Sequence, residues 1–337
     1  MPNDHRFETL NAWLAGQLDI VGAPQPASGD ASFRRYFRIN AADGRSYIVM
    51  DAPPQQEPLA PFLDIGRRLA MAGVHVPQVH AYDDEKGFAL LDDFGSTHYL
   101  EVLSPDTADA LYGDAFDSLL RIQHASCEAL PVYDHAMLKR ETALFPEWFL
   151  GRHFGLELAA AQRSALDAVD QALIDSALEQ PQVLVHRDYH SRNLMRTEQN
   201  NPGVLDFQGA VRGPLTYDLV SLLRDVYVAW PEHRVRAWAL DYRDRAFADG
   251  LCGTVGDADF LRWFDLMGLQ RQIKILGLFT RLYLRDGKPR YLSDLPRTLA
   301  YILHVAPRYT QSAPLAELIH ALDIPARLDQ RLPACAP

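Results

Sequence analysis

Only three cysteines occur in 337 residues, Cys127, Cys252 and Cys335. An odd, widely separated set excludes a disulfide framework and a CxxC metal knuckle, and it fits incidental thiols in a reducing cytoplasm. No apolar run approaches the length of a membrane span, so no membrane partner is expected. The start of the chain, Met1 to Arg6 followed by Phe7 and Glu8, lacks the basic-then-apolar layout of a secretory signal, and the expected location is cytoplasmic. Positive charge is in the minority: 33 Lys+Arg against 44 Asp+Glu gives a net −11. Without a net positive field to release phosphate counterions, a nucleic-acid partner is not expected, although a local basic site stays open. No repeat, no low-complexity tract and no sign of an obligate protein partner is present. What remains is ordinary globular material. With 48% hydrophobic residues the chain can bury a core, and its length suits one large bilobal domain or two domains.

The hydrophobic pattern changes along the chain. Phe7, Leu10, Trp13, Leu14 and Leu18 predict a short amphipathic helix closed by Pro24 and Pro26. From Ser28 to Met50 the pattern is that of strands, with Asp43-Gly44 as a hairpin turn. Phe62, Ile65 and Leu69 mark a helix that stops at Gly73, and Val74–Val76 and Phe88–Leu91 supply two more strands. Residues 1–95 therefore read as a five-stranded, mostly antiparallel lobe with one internal helix. Beyond Gly95 the pattern is helical, starting from a Ser104-Pro105-Asp106 cap. It is interrupted by two short apolar strands, Val183–Val185 and Gly203–Leu205. Helices resume near Leu215 and break near Pro231, Gly253 and Gly287–Pro289.

The chemistry is concentrated at that interruption. His186-Arg187-Asp188-Tyr189-His190-Ser191-Arg192-Asn193 is followed by Asp206-Phe207-Gln208. Each group sits on the polar side of an apolar strand, and a β-turn-β element of this spacing can set three oxygen-bearing side chains around one small volume. Magnesium takes oxygen ligands, shared between one or two carboxylates and substrate phosphates. Asn193 and Asp206 suit that role, which leaves Asp188 to accept a hydroxyl proton from a phosphoryl acceptor.

These residues resemble the kinase-like phosphotransferases, in the branch of aminoglycoside phosphotransferases and choline kinases. Gly213-Pro214-Leu215-Thr216-Tyr217-Asp218-Leu219 matches the segment that follows the metal-binding Asp in that branch. Gly29–Arg38, Tyr47–Pro54, Leu90–Gly95 and Val204–Ala210 are similar to kinases of the anomeric hydroxyl of N-acetylmuramate and N-acetylglucosamine in cell-wall recycling. The resemblance implies an α+β, protein-kinase-like bilobal fold. A small five-stranded antiparallel nucleotide-binding lobe (1–95) would precede a large, mainly α-helical lobe (96–337) carrying the catalytic loop, metal and sugar sites. It implies ATP and Mg2+ as cofactors and a small-molecule sugar as substrate. Aminoglycoside- or choline-type phosphorylation, and a nucleotide-binding pseudokinase, are the alternatives.

Further assignments follow from the resemblance. Ser28–Phe37 would form a lid over the phosphates, with Ser32 and Phe33 at its turn. The third strand, Tyr47–Asp51, lacks the phosphate-holding lysine of kinases. Arg35 or Arg38 on the neighbouring strand offers planar donors instead, or each is a solvated strand residue. Glu57 and Asp64 have no assigned partner. Asp93-Phe94-Gly95 follows a strand well before the catalytic loop, so it marks the hinge, where backbone groups near Asp92 and Phe94 would read adenine. His190 and Arg192, within the loop, and Arg224 and Arg271, on later helices, are candidate sugar contacts; the alternative for the helical pair is a solvated face. Asp218 would support the loop backbone, and Trp148 is read as core. His124, His135 and His153 lack the close spacing of a zinc site.

Overall fold

The computed structural model describes residues 4–28 and 33–331. Helix α1 (His5–Leu14) begins at Asp4, whose carboxylate accepts a hydrogen bond from the Phe7 N–H. Strands β1 (Ile20–Ser28), β2 (Arg35–Ala41) and β3 (Ser46–Asp51) follow, then α2 (Leu59–Met71), β4 (Val79–Asp83) and β5 (Phe88–Asp92). The chain continues through a single turn, α3 (Tyr99–Val102), and α4 (Ala108–His124) into α5 (His135–Thr142). A π-helical segment at Phe145–His153 leads to α6 (Ala160–Leu178) and β6 (Gln182–Val185). Two-residue strands β7 (Leu194–Met195) and β8 (Gly203–Val204) precede β9 (Val211–Pro214). The remainder is helical: α7 (Tyr217–Leu223), α8 (Glu232–Ala248), α9 (Asp257–Asp286), α10 (Leu295–Val305), α11 (Ala313–Ala321) and α12 (Ile324–Arg331). These elements form two compact units. The first takes the described residues up to Ala125 and Arg192–Gly209; the second takes Ser126–Ser191 and the described residues from Ala210 onward.

The first unit is built on a five-stranded antiparallel sheet in the order β1-β2-β3-β5-β4. The β2–β3 hairpin turns at Asp43-Gly44 as the sequence predicts, with Gly44 at φ +84°. Alternate residues of β2, β3 and β5 (Ile39, Tyr47, Val49, Phe88 and Leu90) bury against Leu10 and Leu14 of α1. That face is therefore the helix-covered one.

Three expectations are corrected here. Pro24 and Pro26 do not close the first helix; both lie within β1, an edge strand whose pairing with β2 slips twice. An edge strand tolerates proline because one row of its backbone groups is unpaired. The strand expected at Val74–Val76 begins at Val79 instead. The Val74 N–H closes the end of α2 by donating to the Leu69 carbonyl, and Pro77 has no N–H to add to a ladder. Helix α4 begins at Ala108 rather than at Pro105, because the Ser104 and Thr107 hydroxyls hold residues 104–107 in a turn.

In the second unit α9 is the central element, buried from Phe260 to Thr280 with few breaks. Its packing needs Gly277, where a Cβ would lie 2.3 Å from the Leu144 carbonyl carbon just ahead of the π-helical segment. Helix α9 ends at Gly287, which takes the left-handed conformation, φ +65°, favoured at a helix C-terminus. Strands β6 and β9 pair antiparallel, Val183 opposite Gly213. Among the described residues no helix is long and apolar enough to cross a membrane.

Candidate functional site

In the first unit the β7–β8 ribbon closes the thirteen-residue interval between Asn193 and Asp206. Leu194 pairs with Val204, and the Leu205 N–H donates to the Asn193 carbonyl at 2.9 Å. The side chains consequently meet: Asn193 Nδ2 lies 3.4 Å from Asp206 Oδ2, and Gln208 Nε2 donates to Asp206 Oδ1 at 2.5 Å. Asp206 sits at φ +63°, a conformation that costs a non-glycine residue energy. Phe207 holds it there, buried and stacked on Phe62 of α2 at 4.9 Å, beside Gly66 where a Cβ would come within 3.2 Å of the ring. An amide and a carboxylate in contact give an oxygen donor set of the kind a hard divalent cation takes.

The arginines of β2 separate by strand parity. Arg35, Phe37 and Ile39 share the helix-covered face, where Arg35 donates to Asp51 and to Asp4 and stacks over Phe37. Arg38 faces the other way and grips Asp93 with two hydrogen bonds, 2.6 and 2.9 Å, and the Gly95 carbonyl at 2.7 Å. Just ahead of them, sequence reasoning passed over Arg34. It is buried and forms a 3.1 Å ion pair with Glu57, just before α2. Alternation along the strand, with Phe37 and Ile39 marking the inner face, is the signal that separates Arg34 from Arg35.

Phe33 is exposed, and Ser32 lies outside the described residues. The Asp92 carboxylate accepts from the Gln78 N–H at 3.0 Å and meets His80 Nε2 at 2.7 Å. The Phe94 ring packs against His75, centroids 4.4 Å apart, and over Gly203, where a Cβ would stand 2.5 Å from it. Arg192 is exposed in this unit.

In the second unit β6 delivers the chain into the segment His186–Ser191. Asp218, on α7, accepts hydrogen bonds from the backbone N–H groups of His186 (2.6 Å) and Arg187 (2.9 Å). Asp225 accepts from the Ser191 N–H and hydroxyl at 3.0 and 2.5 Å. The segment is thus pinned at both ends, and Arg187 is held at φ +77°. Its guanidinium donates to Glu141 at 2.6 Å, and Lys274 of α9 meets the same carboxylate at 2.9 Å. The Tyr133 hydroxyl donates to Glu141, and Lys274 donates to the Tyr217 hydroxyl at 3.0 Å. The His190 ring lies edge-on to Tyr227, 5.4 Å between centroids.

This surrounding decides the charge on Asp188. Burial alone would raise its carboxyl, but Lys274, His190, Arg187 and Arg271 outweigh that and hold it below the ordinary value. Asp218 goes the other way: burial and the charge of Asp188 push it up to about 7, against the opposing pull of its two backbone donors. Two neighbouring carboxyls are thus driven apart, the pattern that accompanies a division of labour at reactive sites.

The two helical arginines prove different in kind. Arg224 is 2% exposed, held by Asp265 at 2.8 Å and Glu232 at 3.2 Å. Arg271 is also buried, yet it makes no ion pair or hydrogen bond, and its Nη1 is fully buried without an acceptor. Neither is a solvated face. Lys274, Glu141 and Tyr217 complete the group around Asp188, and sequence pattern did not mark Glu141 because it comes from α5, far from the loop in the chain.

Comparison with known proteins adds the following. The model of the family described as "Phosphotransferase enzyme family" matches residues 24–251. A protein of Pseudomonas putida named "N-acetylmuramate/N-acetylglucosamine kinase" is 49% identical over 96% of this chain and 99% of its own. Among solved structures, an ADP-bound aminoglycoside phosphotransferase has a TM-score of 0.59 at 15% identity, covering 89% of this chain and 97% of its own. A choline kinase from Streptococcus pneumoniae has a TM-score of 0.58 at 13% identity, covering 88% and 99%. At those identities the likeness speaks for the fold alone, and it is the kinase-like α+β fold that the sequence predicts.

Proposed function

This chain belongs to the phosphotransferase enzyme family, and we propose that it is an ATP-dependent sugar kinase acting on the anomeric hydroxyl of N-acetylmuramate and N-acetylglucosamine. Similarity over nearly the whole length to a protein named for both sugars supports the substrate class. The observation that carries the reaction type is Asp188: a buried carboxylate, kept anionic by surrounding cations, at the centre of a segment pinned by Asp218 and Asp225.

Asp188 accepts a hydrogen bond from the sugar hydroxyl, orients its oxygen for in-line attack and takes its proton as the bond to the γ-phosphorus forms and the bond from that phosphorus to the ADP leaving group breaks. A carboxylate held at low pKa is a weak base, which suffices because a loose phosphoryl-transfer transition state depends on alignment more than on base strength. Asn193 and Asp206 would hold Mg2+, to which the Asn193 amide oxygen and the Asp206 carboxylate offer hard oxygen donors from neighbouring side chains. Bound there, the ion supplies charge neutralisation for the phosphoryl oxygens. Arg34, oriented by Glu57, takes the place of the third-strand lysine as the cation for the nucleotide phosphates. Arg38 with Asp93, and Phe94 with Gly203, shape the adenine-reading segment around Asp92. His190 contacts the acceptor, and Arg192 adds positive charge at the loop end. In this reading residues 1–95 serve the nucleotide and residues 96–337 the catalytic loop and sugar, in the cytoplasm where ATP is supplied.

Phosphorus NMR of the products tests the proposal. An anomeric sugar phosphate is expected; phosphorylation of aminoglycoside or choline hydroxyls alone overturns the substrate, and no turnover with any acceptor overturns the enzyme. Asp188→Asn should lower kcat by about 10²–10⁴-fold while nucleotide binding, followed by calorimetry, persists. Near-normal turnover would remove Asp188 from its role.

A further inference from the structure

Buried cations are costly unless paired, so each one in a structure asks for its anion. Among the described residues four cationic side chains are buried, Arg34, Arg224, Arg271 and Lys274. Arg34 has Glu57 at 3.1 Å, Arg224 has Asp265 at 2.8 Å, and Lys274 has Glu141 at 2.9 Å. Arg271 alone has none, although it is only 4% exposed and its Nη1 points at no acceptor.

The nearby carboxylates do not fill the gap. Glu141 already accepts from Arg187, Lys274 and Tyr133. Asp218 is turned to the backbone of His186 and Arg187, and Asp225 to Ser191 and Tyr227. Asp188 and Asp218 both feel the charge of Arg271, and its Nη1 makes no hydrogen bond to either. The second unit therefore presents one planar, two-pronged donor, desolvated and unmatched, within electrostatic reach of the carboxylate assigned to the acceptor hydroxyl. A guanidinium in that state is shaped for a carboxylate or a phosphoryl group.

We propose that Arg271 is the anchor for the lactyl carboxylate that N-acetylmuramate carries and N-acetylglucosamine lacks, and so sets the preference between the two sugars. The proposal rests on the sugar-kinase reading. Arg224, engaged by two carboxylates, and Arg192, exposed in the first unit, do not offer a comparable donor. A carboxylate is favoured over a phosphate because the kinase reading already supplies the phosphates with Arg34 and with the Mg2+ that Asn193 and Asp206 would hold.

The test compares Arg271→Met and Arg271→Lys with the unaltered enzyme on both sugars. For Arg271→Met the ratio of kcat/KM for N-acetylmuramate to that for N-acetylglucosamine should fall at least tenfold, mainly through KM, and Arg271→Lys should restore part of it. An equal loss of kcat on both sugars would assign Arg271 to the phosphoryl group and overturn the proposal, as would an unchanged ratio. Calorimetric binding of each sugar, with a non-hydrolysable ATP analogue present, is read independently of turnover. Arg271→Met should erase any advantage of N-acetylmuramate in affinity, and equal affinities in the unaltered enzyme would overturn the anchor. If the unaltered enzyme turns over neither sugar yet binds N-acetylmuramate through Arg271, the kinase reading fails and the anchor stands. A thermal melt confirms that both variants fold.

Discussion

Arg34, just ahead of β2, and Arg35 and Arg38 on it are close in the chain, yet their surroundings give them three different tasks. Arg35 braces the helix-covered face through Asp51 and Asp4, Arg38 ties Asp93 and the Gly95 carbonyl, and Arg34 is buried with Glu57. Substitution should separate them. Arg34→Met is expected to raise the KM for ATP on the order of 10- to 100-fold, the effect of losing a charge-assisted contact. Arg35→Met should appear instead as a lower melting temperature, because Asp51 is wholly buried and depends on its cations. Steady-state kinetics over ATP concentration and a thermal melt distinguish the outcomes; a raised KM in Arg35→Met alone would reverse the assignment. The spacing of Asp188, Asn193 and Asp206 made them readable in the sequence because one loop and one hairpin carry them. Glu57 was not readable as a partner, since a carboxylate ahead of a helix has many possible cations and only the folded sheet selects Arg34.

At the level of elements, the loop bearing Asp188 is held by Asp218 of α7 and by Asp225 just beyond that helix. Most of these elements were legible from periodicity, and the exceptions share a cause. β1 runs through two prolines because an edge strand does not need every N–H, a condition no local pattern reveals. The π-helical segment at Phe145–His153 is likewise set by its contact with α9, where Gly277 admits the Leu144 backbone. Gly277→Ala should therefore push α9 away from that segment and cost about 1–3 kcal/mol in chemical denaturation, the usual scale of overpacking. A variant as stable as the parent would show that the close approach is relieved without strain.

Across the whole molecule, buried carboxyls of opposite tendency give stability a defined pH dependence. Asp218, raised to about 7 against an ordinary 3.8, favours folding fully below its unfolded value and loses that contribution as pH rises through about 7. Asp188 and Glu141 are lowered despite their burial, Glu141 by Lys274 and Arg187, so their contribution is present above the ordinary carboxyl range and fades as pH falls. The melting temperature should accordingly peak on the acid side of neutrality, decline as pH rises towards 7 and level off above it. Asp218→Asn, although less stable overall, should flatten the decline between about pH 4 and 7. A decline of unchanged slope in that variant would place its origin elsewhere.

The chain by itself determined the kind of chemistry: Asp188, Asn193 and Asp206 stand at intervals that backbone geometry converts into one short loop and one hairpin, and the switch from alternating to helical periodicity marks the change in architecture. Tertiary structure decided which charges are satisfied. Whether an arginine is a brace, a phosphate cation or an unmatched donor depends on the carboxylates that distant elements bring within about 3–4 Å, where ion pairs form. Arg271 is the clearest case. In sequence it is one polar residue in a helix, and only the packing of α9 in its unit leaves its guanidinium buried near Asp188 and Asp218 with no acceptor for Nη1.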